Sequence, residues 1–201
     1  MTSSDQTALA PGTVDALAAR VGTSYGLVAH PDARVAAVCA QFNGGVTARL
    51  LDGVLRALDD FGPGAASATV AWVPGAFELP LAAQRLAESG MVDAVVALGA
   101  VIRGDTPHFD YVAGPCADGL TRVALDSGVP VVFGVLTTDT VAQALERCAD
   151  GPANKGYEAA CTALQMVGLL ARIDDAADGA DGWSGPGSGP ETLEEEASCS
   201  D

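Results

Sequence analysis

The residue best suited to move a proton is His108, which follows the turn Gly104-Asp105-Thr106-Pro107 and precedes Phe109-Asp110. Imidazole titrates near neutrality, so it can take up and return a proton under ordinary conditions. A Gly-Asp-Thr-Pro turn leading into a helix presents backbone N–H groups at the positive end of the helix dipole, a ready site for an anion. A single histidine in a sequence is more often structural than catalytic. The anion cradle beside His108 tips the balance towards catalysis. The other histidine, His30, stands with Pro31 and Asp32 in an irregular N-terminal stretch and has no such setting.

Other unusual residues fall in segments of the same kind. They include Phe42-Asn43-Gly44-Gly45, Pro74-Gly75-Ala76-Phe77-Glu78, Phe133-Gly134 and Thr137-Thr138-Asp139-Thr140. An exposed phenylalanine at the rim of a sheet is a platform for a flat heterocycle, although each ring taken alone could simply pack its own loop. Arg147 and Lys155 bring positive charge to a chain with few bases. Arg147 fits a guanidinium fork on phosphate, and it fits equally a helix C-terminal residue that complements the dipole. Spacing alone does not choose between these readings.

The elements that must hold these residues alternate regularly from residue 34 onward. Apolar β-type runs occur at 34–42, 68–73, 92–102 and 129–137, and helical spacing follows each of them. The first long helix is expected to end at Gly62 as a C′ glycine, and the second at Gly90. Pro80 suits a first helical turn, and Pro115 is expected in or near the first turn of its own helix. A final helix is expected from about Asn154 to Ile173. Strands that read as unbroken apolar runs between helices indicate a parallel sheet covered on both faces. The expected fold is α/β, a flavodoxin-like three-layer αβα arrangement around a four-stranded parallel sheet. Ligands bind such sheets at the carboxyl ends of the strands, where the residues above lie.

Composition bounds the remaining possibilities. Apolar residues make up 49% of 201, enough for a substantial core. The net charge of −16 argues against nucleic acid and anionic membranes as partners. Nine acids and no base fall in residues 174–201, a Gly/Ser/Pro-rich stretch without periodicity. That stretch is expected to be a disordered acidic tail, with a docking peptide around Trp183 or Leu193 as the other reading. The expected organisation is an extended arm over 1–33, one domain over 34–173 and the tail over 174–201. Cys39, Cys116, Cys148, Cys161 and Cys199 form no CxxC pair and no zinc spacing, so several should be small buried hydrophobes in a reducing cytoplasm. There is no export signal or membrane-spanning run. There is also no GxxxxGK[ST] loop, no GxGxxG after the first strand and no GxSxG elbow.

Taken together, these segments resemble the lumazine synthase family. The resemblance rests on Phe42-Asn43 with Val46-Thr47, the run from Val73 to Pro80, and the run from Gly99 to Val112 around Thr106-Pro107-His108. It continues through Phe133 to Thr138, Gln143 to Arg147, and Asn154-Lys155-Gly156, and it covers residues 34–173 in order. It implies condensation of 5-amino-6-(D-ribitylamino)uracil with 3,4-dihydroxy-2-butanone 4-phosphate to 6,7-dimethyl-8-ribityllumazine, a step of riboflavin biosynthesis that needs no metal or organic cofactor. Phosphate and water are released.

The resemblance also implies roles. Phe42 would stack on the pyrimidine, Ala76 and Phe77 would present backbone to it, and Glu78 would hold the ribityl hydroxyls. Val101 and Ile102 would contact the ring through backbone groups, Asp105 and Thr106 would bind phosphate through N–H groups, and His108 would shuttle protons. A neighbouring subunit would supply Phe133 as a ring contact, Arg147 as the phosphate clamp and Lys155 near the pyrimidine, and Glu158 would sit close to His108. The implied assembly is a homopentamer, or an icosahedral shell of sixty copies.

Several features depart from the pattern. The N-terminal arm is longer, and the acidic tail has no counterpart. Gly44-Gly45 is a flexible pair at a helix start, and Asp150 and Pro152 stand between Arg147 and Lys155. These leave two other outcomes: a non-catalytic paralogue that binds a lumazine or flavin or forms a compartment, and an enzyme for a related amino-pyrimidine.

Overall fold

A computed structural model describes residues 12–181. After a short helix α1 (Thr13–Ala18), the chain alternates strand and helix. The elements are β1 (Val35–Ala40), α2 (Gly44–Phe61), β2 (Thr69–Val73), α3 (Leu79–Ala87), β3 (Ala94–Ile102), α4 (His108–Ser127), β4 (Val131–Thr138), α5 (Val141–Arg147) and α6 (Lys155–Asp181). Single 3₁₀ turns at Ala65–Ser67 and Ala76–Glu78 precede β2 and α3. The sheet order is β2-β1-β3-β4, and every pairing is parallel. The chain is therefore a flavodoxin-like three-layer α/β fold, with its topological switch point between β1 and β3.

Strand alternation assigns the two faces. Ala37 and Cys39 of β1, with Val96, Leu98 and Ala100 of β3, pack against Leu50, Val54, Ala144, Ala160 and Leu164 from α2, α5 and α6. Ala36, Val38, Val95 and Ala97 pack against Leu79, Ala83, Cys116 and Leu120 from α3 and α4. The central strands β1 and β3 are buried on both faces, as their unbroken apolar runs require. The outer strand β2 is mostly exposed, with Trp72 about half open to solvent. Burial pushes the Cys39 thiol up to about 12 and Cys116 up to about 11, so both act as small core residues rather than nucleophiles. No helix among the described residues is long and apolar enough to cross a membrane.

The helices α2 and α6 cross at very close range. A Cβ added to Gly156 would overlap the Leu50 carbonyl, and one added to Gly53 would overlap the Asn154 side chain. Asn154 itself is buried where the two helices meet. Further along α6, Gly168 leaves room for the backbone of Val28, and Arg172 donates to the Gly26 carbonyl. His30 N–H also donates to the Leu164 carbonyl at 3.0 Å. Part of the N-terminal arm thus lies along α6.

Some expectations need correction. Pro115 lies in the interior of α4, which begins at His108, so Pro115 leaves the Tyr111 carbonyl without its helical donor. Gly62 is extended, with φ −124°, and the positive-φ residue after α2 is Gly64, at φ 90° and ψ 151°, which is not the left-handed helical conformation of a C′ glycine. The helix expected to stop near Ile173 continues to Asp181, so the first residues assigned to the acidic tail are helical. The rest of that tail, with Trp183, Leu193 and Cys199, lies outside the described residues, as does the start of the arm.

A Gly156→Ala substitution should destabilise the fold by about 1–3 kcal/mol, the usual range for overpacking a tight contact. Chemical denaturation checks this. An unchanged midpoint and slope would show that α2 and α6 can separate without cost.

Candidate active site

The carboxyl ends of β1, β2 and β3 converge, and main-chain hydrogen bonds fix their loops to one another. Gln41 N–H donates to the Val73 carbonyl at 2.8 Å, and Phe42 N–H to the Pro74 carbonyl at 3.0 Å. Asn43 has a left-handed backbone, φ 58°, and its side-chain amide donates to the Ala100 carbonyl at 2.8 Å. Asparagine is among the few side chains that tolerate this conformation. These bonds tie the loops after β1 and β2 together and pin the first of them to β3. Phe42 is 73% exposed and Phe77 58% exposed, both unusually open for phenylalanine. In the adjoining turn Ala76 is buried and Glu78 is exposed. Val101 is buried and Ile102 half-buried, so the end of β3 offers backbone more than side chain.

Beyond β3, Asp105, Thr106 and His108 are all exposed. His108 is the first residue of the twenty-residue helix α4, and no side chain caps that terminus. The first-turn N–H groups and the positive end of the dipole are therefore presented beside the imidazole.

Sequence reading assigned no role to Arg103, yet this residue organises the loop. Its N–H donates to the Thr138 carbonyl at 2.9 Å. Its guanidinium reaches Asp139 at 3.1 Å and Asp110 at 3.4 Å, and lies 4.0 Å over the Phe109 ring. An exposed ion pair alone is worth little, but these contacts share one planar group and join the loop after β3 to α4 and to the loop after β4. The only prior hint was the rarity of bases in this chain.

A second group of residues gathers elsewhere. A cavity of about 350 Å³ opens at the edge of β4 and is lined by Phe133, Thr137, Arg147, Lys155, Glu158 and Thr162 among others. Thr140 and Gln143 form a capping box that starts α5, and the Gln143 carbonyl accepts from the Arg147 guanidinium at 3.0 Å. Lys155 and Glu158 pair at 2.6 Å. Within one chain Glu158 thus meets Lys155, and His108 does not line this cavity.

The expected site residues therefore fall into two sets. Phe42, Ala76, Phe77, Glu78, Val101, Ile102, Asp105, Thr106 and His108 lie at or just beyond the carboxyl ends of β1 to β3. Phe133, Arg147 and Lys155 surround the β4-edge cavity. The first set offers flat apolar surface, backbone polar groups, the uncapped N–H groups of a helix start and an imidazole. The second offers a guanidinium, an ammonium and a ring in a concave setting. The model of the 6,7-dimethyl-8-ribityllumazine synthase family matches residues 32–171, a span that includes all four strands and both sets. The chain belongs to the 6,7-dimethyl-8-ribityllumazine synthase family of transferases.

Proposed function

We propose that the protein condenses 5-amino-6-(D-ribitylamino)uracil with 3,4-dihydroxy-2-butanone 4-phosphate to 6,7-dimethyl-8-ribityllumazine, at a site completed by a second copy of the chain. The observation that carries the reading is the separation of the two residue sets just described, each incomplete alone and complementary to the other. The His108 set has a proton carrier and an N–H cradle at the start of α4. The β4-edge set has the cations, Arg147 and Lys155, that line its cavity. A homo-oligomer that places one set against the other supplies every group the reaction needs. The pentamer is the assembly in keeping with the family, whether alone or in a larger shell.

Each step has a group suited to it. Phe42 stacks on the pyrimidine of one copy, and Phe133 of another bounds the ring. Backbone groups of Ala76, Phe77, Val101 and Ile102 read the ring edge, and Glu78 accepts from the ribityl hydroxyls. The substrate phosphate sits on the N–H groups of Asp105 and Thr106, and the Arg147 fork matches its oxygens. Lys155 lies near the pyrimidine. Amine attack on the ketone carbonyl forms a carbinolamine, which loses water to give an imine. Phosphate then departs, and ring closure releases a second water. His108 moves the protons these steps require, and Glu158 brought beside it orients the imidazole.

An absorbance assay with the two substrates should show lumazine formation above the spontaneous rate. Binding of a lumazine or flavin without turnover would instead identify a carrier built on the same fold. His108→Ala should lower kcat by roughly 10²–10⁴-fold, the usual worth of a general acid–base group, while leaving the oligomer intact in sedimentation. Unchanged turnover would remove His108 from the mechanism. Arg147→Ala should raise KM for the phosphorylated substrate, and a shift confined to the pyrimidine KM would contradict the phosphate role.

A further inference from the structure

Between Arg147 and Lys155, two residues that this reading places on substrate, the chain makes a tight loop around a single buried side chain. Asn154 is 1% exposed, and every polar atom of its amide is engaged. The nitrogen faces three carbonyl oxygens, those of Cys148 at 3.1 Å, Ala149 at 3.2 Å and Arg49 at 3.2 Å. The oxygen accepts from Gly156 N–H at 2.8 Å and Tyr157 N–H at 3.3 Å. This arrangement fixes the amide orientation, because turning it over would set oxygen against three carbonyls.

Those partners are helix ends. Cys148 and Ala149 follow Arg147, the last residue of α5, and their carbonyls are among those a helix C-terminus leaves without donors. Gly156 and Tyr157 occupy the first turn of α6, where Asn154 serves as N-cap. Arg49 belongs to α2. One amide thus closes the end of one short helix, opens the next and fastens both to a third. Arg147 sits immediately before the two carbonyls it holds. Lys155 sits immediately after it.

We propose that Asn154 is a positioning residue that sets Arg147 relative to Lys155, with its amide nitrogen holding the Arg147 side and its amide oxygen the Lys155 side. This rests on the reading of Arg147 and Lys155 as substrate-binding groups. The two halves of the amide are separable by substitution. Asn154→Ser and Asn154→Asp both keep an oxygen that can cap α6, since serine and aspartate are good N-caps. Neither can satisfy the three carbonyls. Serine is too short to reach them, and aspartate places a carboxylate oxygen against them. In both variants the end of α5 loses its hold while the start of α6 keeps its own.

The test measures KM for each substrate, kcat and the thermal midpoint of the full chain carrying Asn154→Ser, Asn154→Asp or, as a control, Leu164→Ala. Leu164 is a fully buried residue of α6 remote from these bonds. The two Asn154 variants should raise KM for 3,4-dihydroxy-2-butanone 4-phosphate by roughly 10- to 100-fold, the scale of an ångström-sized misplacement. KM for the pyrimidine should change by less than about threefold, consistent with a retained cap. The control should lower the midpoint without separating the two constants. Equal changes in both KM values, or changes in the Asn154 variants that follow the loss of midpoint as in the control, would reduce Asn154 to a stability residue. Loss of folding by one variant leaves the decision to the other, and loss by both would likewise make its role structural. Absence of turnover by the unsubstituted chain would overturn the enzymatic reading and this inference together. Turnover without the KM split would overturn the inference alone.

Discussion

Because the four strands run parallel, each successive pair must be joined by a crossover that returns the chain to the same end of the sheet. Those crossovers are the helices, and they cover both faces, so neither face is left to water. The same directionality places every strand's carboxyl end on one side, and with it every loop that leads from a strand into a helix. The exposed rings of Phe42 and Phe77, the turn before His108 and the start of α4 are neighbours for this reason. The small residues of β1 and β3 add a second constraint. Ala36, Ala37, Ala40, Ala94, Ala97 and Ala100 are buried, and they let the helices approach closely. Close approach excludes side chains where helix meets helix. The crossing of α2 on α6 accordingly falls at Gly53 and Gly156.

The parts of this arrangement that depend on periodicity were readable from the chain itself. Unbroken apolar runs separated by amphipathic helices give the parallel sheet, and the turn after the third run gives the entry to a long helix. Parts set by a single close contact were not. Pro115 looked like a first-turn proline because local preference places it there, yet α4 begins at His108 and tolerates it inside. Tertiary packing of Cys116, Leu120 and Val123 outweighs one lost hydrogen bond. Gly62 looked like a left-handed terminator, but it is extended, and the chain takes a positive φ only at Gly64, after a longer turn closed on the Leu58 carbonyl. Arg103 and Asn154 escaped for a related reason. Each joins local partners to one distant in sequence, Asp139 for Arg103 and Arg49 for Asn154, and no local pattern reports a contact so far along the chain.

The site residues divide for the same structural reason. His108 opens α4, which covers one face of the sheet, whereas Arg147 and Lys155 bound the loop between two helices of the other face. A parallel sheet four strands wide stands between the two layers. Within one copy, His108 accordingly does not line the cavity that Arg147 and Lys155 bound. Spacing in sequence could not reveal this, since it does not show which face of the sheet each helix covers.

Electrostatics explains how so acidic a protein could accept a phosphorylated substrate. The net charge of −16 repels such an anion at long range, but beyond about 10 Å that repulsion is largely screened by ordinary salt. Within that distance the distribution of charge decides. Arg34, Arg56, Arg103 and Lys155 are each paired with a carboxylate. Arg147 instead leans on the neutral Gln143 carbonyl, which orients the fork without cancelling its charge. Its field is kept for whatever enters the β4-edge cavity, and the uncapped start of α4 keeps its N–H groups in the same way. Arg20, Arg49, Arg85, Arg122 and Arg172 likewise have no carboxylate partner among the described residues, so what sets Arg147 apart is the concave setting of the β4 edge rather than the pairing of the other bases.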